Sequence, residues 1–257
     1  MLVLLSCDKT MSAVSKVKVP LTTSPRFQKE AAEIALQMSQ FSVDELERLL
    51  RVNAKIAVEN YKRYQAFHAE ATPELPALLA YTGIVFKRLN PKDFSAEDFG
   101  YAQEHLRLTS FCYGLLRPLD VIRAYRLEGD VVLPELGNQT LFFYWRSRLT
   151  DTFIEDIRSA GGILCNLASD EMKSLFDWKR VESEVRVVTP EFHVWKNGKL
   201  ATIVVYTKMS RGEMTRFILK NKIGNPEELK GFSWEGFEFD ESLSDERKLV
   251  FINGMGE

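Results

Sequence analysis

The chain has 257 residues, 45% of them hydrophobic, and a formal net charge of −2, so it can bury a large core and has the composition of a globular rather than a disordered protein. This charge excludes a strong overall attraction to nucleic acid or anionic membranes, so any binding of phosphate must come from a local cluster of basic residues. The cysteines lie too far apart for a disulfide framework or a zinc pattern, and we expect no metal site and no cofactor.

The first predicted element is a buried strand over the apolar run Leu2–Leu5. This run is too short for a secretion signal, and no other stretch approaches the roughly 20 apolar residues that span a bilayer. We therefore expect a cytoplasmic protein without a membrane partner. Residues 6–10 follow the strand at its carboxyl end, where open sheets commonly place ligand-binding groups. Residues 11–23 have the polar composition of a mobile loop.

Capping signals mark the starts of several predicted helices. Ser42 with Glu45 and Ser95 with Asp98 have the spacing of a capping box, and Thr140 is a favourable N-cap. Such signals, together with hydrophobic periodicity, predict a series of helices. In chain order they cover residues 25–39, a stretch from 43 onward, 53–68, 84–89, a stretch from 96 onward, 141–159, a short stretch after 169, and 211–223.

Strands are predicted where β-branched and apolar residues cluster, over residues 78–81, 163–167, 185–195, 200–207, 236–240 and 249–252. Asn197 and Gly198 give the strongest hairpin signal in the chain. Because hairpins are mixed with helices, the sequence predicts an α+β fold with a mixed β-sheet surrounded by helices, in a single domain that covers residues 1–257.

Residues 106–128 read LRLTSFCYGLLRPLDVIRAYRLE and combine arginines with apolar side chains around Gly114 and Pro118. Those two residues would break a single helix. We therefore expect a helix that ends near Thr109, a tight apolar turn through Leu116 and a new element after Pro118. Such an apolar turn is expected to pack inside the protein, with its guanidinium groups facing a cleft.

This stretch and four further motifs, in the same order, resemble the YaaA family of bacterial peroxide-stress resistance proteins. The other motifs are S-x-x-KT at residues 6–10, GIVFKRL at 83–89, NLASDE at 166–171 and K-x-x-RG-x-M-x-RFI at 208–218. Five ordered motifs over essentially the whole chain are far more specific than any one of them. Four positions depart from the family pattern, namely Cys7 and Asp8, where relatives commonly carry Pro and Ala, Phe111, where they usually carry Gly, and Met172, where they carry Tyr.

The resemblance implies a DNA-binding protein of the peroxide-stress response that protects DNA from oxidative damage through a positively charged cleft and a helix-hairpin-helix-like element. We place that element at residues 106–127 and expect binding to double-stranded or branched DNA without strong sequence preference, with no obligate protein partner. Gly212, beside the expected helix start, would let a ligand approach the helix amides. The residues predicted to contact DNA are Lys9, Arg107, Gly114, Arg117, Arg126, Lys208, Arg211 and Arg216.

These assignments have structural alternatives. The arginines of residues 106–128 can instead pair with Asp120 or Glu128, and the basic residues of 208–222 can form a solvated helix face. Cys7 is a candidate redox-sensing thiol next to Lys9, or simply a small buried residue.

A second functional interpretation is an enzyme that acts on a nucleotide, a DNA base or a phosphorylated small molecule in the same cleft. Lys9 would be its nucleophile or electrophile, and Asp120, Asp170 or Glu171 would act as its acid or base. A third interpretation is a protein-interaction scaffold, which would show no salt-sensitive binding of DNA.

Overall fold

The computed structural model describes residues 1–196 and 198–254, and a mixed sheet of eight strands forms its centre. The strands in chain order are β1 (Leu2–Leu5), β2 (Leu75–Pro76), β3 (Leu106–Ser110), β4 (Gly114–Leu116), β5 (Val121–Ile122), β6 (Val132–Leu133), β7 (Gln139–Thr140), β8 (Ile163–Asn166), β9 (Arg186–Lys196), β10 (Lys199–Ala201), β11 (Phe237–Phe239) and β12 (Lys248–Asn253). Two small antiparallel pairs, β2 with β5 and β6 with β7, lie outside the large sheet.

The order across the large sheet is β11-β12-β9-β8-β1-β3-β4, and β10 pairs with the end of β9. The central strands from β12 to β3 run parallel, whereas β4, β10 and β11 join antiparallel. Parallel strands are usually covered on both faces, which explains why every residue of β1 is buried.

Helices surround this sheet, and the predicted α+β class with a mixed sheet is confirmed. The buried apolar side chains form a continuous cluster. Within the described ranges, no helix has both the length and the apolar character needed to cross a membrane. The helices are α1 (Gln28–Met38), α2 (Val43–Leu50), α3 (Ala54–Ala66), α4 (Ala77–Ala80), α5 (Ile84–Leu89), α6 (Ala96–His105), α7 (Leu141–Ser159), α8 (Asp170–Lys173), α9 (Trp178–Glu184) and α10 (Val204–Asn221).

The predicted capping signals set the starts of three helices. The Ser42 hydroxyl accepts a hydrogen bond from Glu45 N at 3.3 Å, and the Glu45 carboxylate accepts one from Ser42 N at 2.7 Å. Ser95 and Asp98 form the same reciprocal pair before α6, and the Thr140 hydroxyl accepts a backbone N–H at the start of α7. These bonds satisfy amides that have no partner inside a helix.

Two predicted strands are wholly or largely not strands in the structure, and of residues 200–207 only the first two lie in a strand, β10. Residues 78–80 belong to α4, and residues 204–207 are the first turn of α10, which was predicted to start only at residue 211. The predicted hairpin is present, because β9 and β10 pair with Lys199 opposite Lys196. Asn197, the first residue of the predicted turn, lies outside the described residues.

Residues 106–116 form a β-hairpin and not part of a helix-hairpin-helix, so that prediction was wrong. Helix α6 ends at His105, and β3 and β4 pair antiparallel with Ser110 opposite Gly114. The other edge of β3 pairs in parallel with β1, and this long-range pairing overrides the local helical pattern. Gly114 has a φ of +70°, and a Cβ on it would lie 2.7 Å from the Trp145 ring. Glycine is therefore required here by the turn and by packing against α7.

Candidate functional site

The carboxyl ends of β1 and β8 border a pocket of about 360 Å³. The two strands are parallel neighbours, but the chain leaves β1 towards β3 on one side and leaves β8 towards β9 on the other. Ligand crevices in open sheets form where neighbouring strands send their connections in opposite directions. Charged side chains from four segments line the pocket among apolar ones, and they are Lys9, Arg126, Lys208, Arg211, Asp8 and Glu171.

Polar side chains tie together the strand ends that border the pocket. Ser6 Oγ accepts a hydrogen bond from Ser169 N at 2.9 Å and donates one to Ser169 Oγ at 3.3 Å. Thr109 Oγ1, in β3, accepts one from Cys7 N at 3.1 Å. Ser169 was predicted to cap the helix that follows it, but its side chain makes no capping hydrogen bond to α8. Its contacts instead fix the position of residues 6–10.

Asp8 packs against the start of α5. A Cβ on Gly83 would lie only 1.7 Å from Asp8 Oδ2, and Asp8 Oδ1 accepts a hydrogen bond from Thr10 N at 2.7 Å. The loop after β1 can approach α5 this closely only because residue 83 has no side chain. The glycine of the GIVFKRL motif therefore shapes one wall of the pocket.

A buried carboxylate positions two of the basic side chains. Lys9 Nζ lies 2.5 Å from Glu128 Oε2, and the Glu128 side chain is 4% exposed whereas that of Lys9 is 53% exposed. Glu128 Oε1 also lies 3.7 Å from Nη2 of Arg126. Sequence reasoning named Glu128 only as an alternative partner for arginines. Its place at the end of an apolar, arginine-rich run is the signal that could have identified it.

Two guanidinium groups at the pocket have donors that no protein atom satisfies. Nε of Arg126 and Nε of Arg211 are buried and have no hydrogen-bond acceptor in the described part of the chain. Burial also lowers the pKa of the Arg211 guanidinium, against the opposing influence of Asp170. Buried polar groups are nearly always hydrogen-bonded in folded proteins. Two such donors at one pocket therefore favour an acceptor that the ligand supplies.

The three candidate acids occupy different environments. Glu171 lines the pocket. Asp170 has 93% of its side chain exposed and pairs with Lys173 at 2.8 Å. Asp120 is buried, and it accepts hydrogen bonds from the Thr23 hydroxyl and from the backbone and side chain of Arg117. Of these three, Glu171 shares the pocket with Lys9.

The structure brings four of the predicted DNA contacts together at the pocket, and these are Lys9, Arg126, Lys208 and Arg211. Three other basic candidates lie outside it in ion pairs, namely Arg107 with Asp156 at 2.7 Å, Arg117 with Asp120 at 2.9 Å and Arg216 with Asp93 at 2.5 Å. Arg211 and Arg216 share α10, but at about 100° per residue their side chains leave the helix about 140° apart.

Gly212 serves helix packing rather than approach by a ligand. It lies inside α10 and is buried, and a Cβ on it would lie 2.3 Å from the carbonyl oxygen of Val85 and 2.8 Å from Cβ of Arg88. Its predicted place beside a helix start was wrong because α10 begins at Val204. The glycine allows α10 and α5 to pack closely, which brings Arg211 beside the end of β1.

The thiol of Cys7 is poorly suited to redox sensing. Burial raises its pKa to about 12, against a lowering contribution from its contact with Thr109. A thiol with so high a pKa is protonated at neutral pH, and the thiolate is the reactive form. The alternative, a small residue with a structural role, therefore fits this high pKa better, although Cys7 is half-buried and lines the pocket. Across residues 1–196 and 198–254, no three His, Cys, Asp or Glu side chains converge to hold a metal ion.

Comparison with known proteins identifies the family. Residues 1–243 match a family model described as peroxide stress protein YaaA. The chain is also similar to proteins named UPF0246, with 98% identity over 257 residues to one from Bacteroides thetaiotaomicron, 52% over 254 residues to one from Porphyromonas gingivalis and 37% over 253 residues to one from Crocosphaera subtropica. Each alignment covers 98% or more of both proteins. The resemblance carried by the five motifs is thus confirmed, and the chain belongs to the YaaA family of peroxide stress proteins.

Proposed function

We propose that this protein acts in peroxide stress by binding a phosphate-bearing ligand in the pocket at the ends of β1 and β8. The observation that carries the proposal is the pair of buried Nε donors of Arg126 and Arg211, which have no acceptor among the described residues. Guanidinium groups match phosphate oxygens in both charge and geometry. Lys9 and Lys208 line the same pocket and add two flexible ammonium groups.

The local charge supports an anionic ligand. Four basic and two acidic side chains line the pocket, although the chain as a whole has a formal charge of −2. A phosphate group offers more acceptor oxygens than a carboxylate does, so it can satisfy donors that come from several directions. A ligand with phosphate at one end therefore fits this set of donors well.

DNA is the phosphate-bearing ligand that the family resemblance implies, and we propose that it binds at this pocket. The contacts would come from Lys9, Arg126, Lys208 and Arg211, which line the pocket. In this proposal no contact to DNA comes from the three ion-paired arginines, Arg107, Arg117 and Arg216, whose ion pairs stabilise the fold. Gly114 makes no contact to DNA either, because it packs against Trp145.

Fluorescence anisotropy with labelled duplex and branched DNA over a salt series tests this proposal. Arg211→Gln should weaken binding and flatten the slope of log K against log salt by roughly 0.9 for one lost phosphate contact. Arg216→Gln is the matched control, because Arg216 lies on the same helix but pairs with Asp93. Wild-type binding that does not depend on salt, or the same slope in wild type and Arg211→Gln, would contradict the proposal.

Catalysis on a phosphate-bearing substrate is a second candidate function. It is favoured by Glu171 and Asp8, which lie in the same pocket as the basic side chains and could transfer protons. Lys9 donates to Glu128 at 2.5 Å, an arrangement that favours a fixed positive charge over a free amine nucleophile.

Lys9→Arg separates binding from catalysis by Lys9. A purely electrostatic role should tolerate this change with a modest loss of affinity, whereas a Schiff base or a proton-transfer step should not. Borohydride reduction with damaged DNA would trap a covalent adduct if Lys9 forms a Schiff base. An adduct that wild type forms and Lys9→Arg does not would favour the enzyme.

A further inference from the structure

We infer that the pocket selects phosphomonoesters, in which the phosphate ends a molecule, over the phosphodiesters inside a DNA strand. The inference rests on the proposed binding of phosphate at this site and names the chemical class of its ligand. Three features of the pocket support it: the recessed position of its donors, its charge, and the size and character of its walls.

Arg126 and Arg211, which carry the donors without partners among the described residues, both line the pocket. Nε of Arg126 and Nε of Arg211 are both buried. A phosphodiester in a duplex has two free oxygens and a sugar on each side, and these sugars block its approach to a recessed donor. A terminal phosphate has three free oxygens and one ester link, so it can enter the pocket with the phosphate leading.

The charge of the pocket suits a dianion. Among the described residues, Glu128 is the carboxylate that forms ion pairs with Lys9 and Arg126, while Lys208 and Arg211 have no carboxylate within ion-pair distance. A phosphomonoester carries about −1.5 to −2 charges at pH 7. The two unpaired cations can pair with both charges of such a dianion, although Asp8, Glu171 and Glu128 offset three of the four positive charges at the pocket.

The remaining walls suit one nucleotide-sized group. The volume of about 360 Å³ lies near the lower end of small-molecule pockets, which run from about 300 to 1,000 Å³. Phe111, Tyr125 and Met172 give the pocket an apolar side against which a base or a sugar can pack. The ligand class is therefore a nucleoside monophosphate or the phosphorylated end of a DNA strand. Oxidative cleavage of DNA leaves phosphomonoester ends, which connects this chemistry to peroxide.

Isothermal titration calorimetry with thymidine 5′-monophosphate and with its phosphate methyl ester tests the inference. The methyl ester has one methyl group more, and therefore one negative charge and one free phosphate oxygen fewer. Wild type and Arg216→Gln should bind the monoester about tenfold more tightly than the methyl ester, as expected for one charge-assisted hydrogen bond. Arg211→Gln should lose most of this preference. The comparison in wild type is decisive even if a variant folds poorly.

Anisotropy with a blunt duplex identifies the source of the monoester. Tighter binding of the 5′-phosphorylated duplex than of the 5′-hydroxyl duplex would support strand ends, and equal binding of the two duplexes together with tight binding of the mononucleotide would support a free nucleotide. Equal affinity of wild type for thymidine 5′-monophosphate and its methyl ester would overturn the inference and leave the proposed function standing. If wild type bound neither nucleotide and no DNA, the inference and the proposed function would both be overturned.

Discussion

The ammonium of Lys9 and the carboxylate of Glu128 meet at 2.5 Å although 119 positions separate them in the sequence. The contact joins the loop after β1 to the segment after β5, and it pairs a half-exposed cation with a buried anion. A buried carboxylate that loses its partners is strongly unfavourable, so Glu128 specifies where Lys9 and Arg126 lie. The pocket therefore depends on an acid that does not itself line it.

Glu128→Gln tests this dependence, because it keeps the shape of the side chain and removes its charge. We expect the free energy of unfolding to fall by about 2 kcal/mol, the usual contribution of hydrogen bonds to a charged group. Urea denaturation is the measurement. Asp170→Asn is the control, since the Asp170–Lys173 pair is exposed and should contribute less than about 0.5 kcal/mol. Equal losses in the two variants would contradict the anchoring role of Glu128.

Gly212→Ala should destabilise the protein through the contact between α10 and α5. The added methyl group would lie 2.3 Å from the carbonyl oxygen of Val85, and overpacking of this kind lowers stability by about 2 kcal/mol. Gly100→Ala is the matched control within helix α6, where a Cβ would meet no atom within 4 Å. It should raise stability by about 0.5–1 kcal/mol through helix propensity. The two urea midpoints should therefore move in opposite directions, and a shared direction would contradict the packing argument.

Lowering the pH should remove the stabilisation that the Asp98 carboxylate gives to the folded protein. Burial alone would raise the pKa of this carboxyl, but hydrogen bonds from Lys222, Lys220 and Ser95 N outweigh burial and hold the pKa well below its ordinary value. Because the pKa is lower in the folded state, the stabilisation is present above the unfolded pKa of about 3.9 and is lost as pH falls below it.

The measurement for Asp98 is the stability difference between wild type and Asp98→Asn as a function of pH. We expect wild type to be more stable by about 2 kcal/mol near neutral pH, with the difference shrinking from about pH 5 to about pH 2. A difference that stays constant down to pH 2 would show that the carboxylate charge is not what stabilises the end of α10.

Thiol labelling should distinguish a protonated, half-buried Cys7 from a redox-sensing thiol. With a pKa of about 12, the thiolate fraction at pH 7.5 is about a thousandfold below that of an ordinary cysteine. Iodoacetamide should therefore label Cys7 in the native protein far more slowly than it labels a free thiol, and all three cysteines should react in urea. Rapid labelling of Cys7 before unfolding, detected by mass spectrometry, would restore the redox interpretation.

Local signals were sufficient where the structure depends on local hydrogen bonds. The capping boxes at Ser42 and Ser95 start α2 and α6 as predicted, because donor and acceptor lie three residues apart. The strand β1 was likewise predicted from its continuous apolar run. For the two capping boxes, the hydrogen bonds that fix the helix start come from residues inside the same short segment, whereas β1 also depends on pairing with β3 and β8.

Long-range contacts decided the elements that sequence reasoning misassigned. Strand β3 forms because it pairs with β1, about a hundred residues away in sequence, as in Leu106 opposite Val3. Helix α10 begins at Val204, in a run of β-branched residues, and packs against α5 at Gly212, which lies eight positions further along the helix. The side chains of Arg211 and Arg216 leave α10 in different directions. Sequence reasoning placed the start of this helix at residue 211 and grouped both arginines as DNA contacts, so it did not distinguish Arg211 at the pocket from the ion-paired Arg216.

The basic side chains of the pocket come from distant parts of the chain. Lys9 and Arg126 belong to the N-terminal half, whereas Lys208 and Arg211 belong to α10, which ends at Asn221. Because synthesis proceeds from the N-terminus, a growing chain on the ribosome carries two of these four cations until α10 has emerged and packed against α5. The full set of four cations, on which the proposed binding of a ligand depends, therefore forms only after α10 has folded against α5.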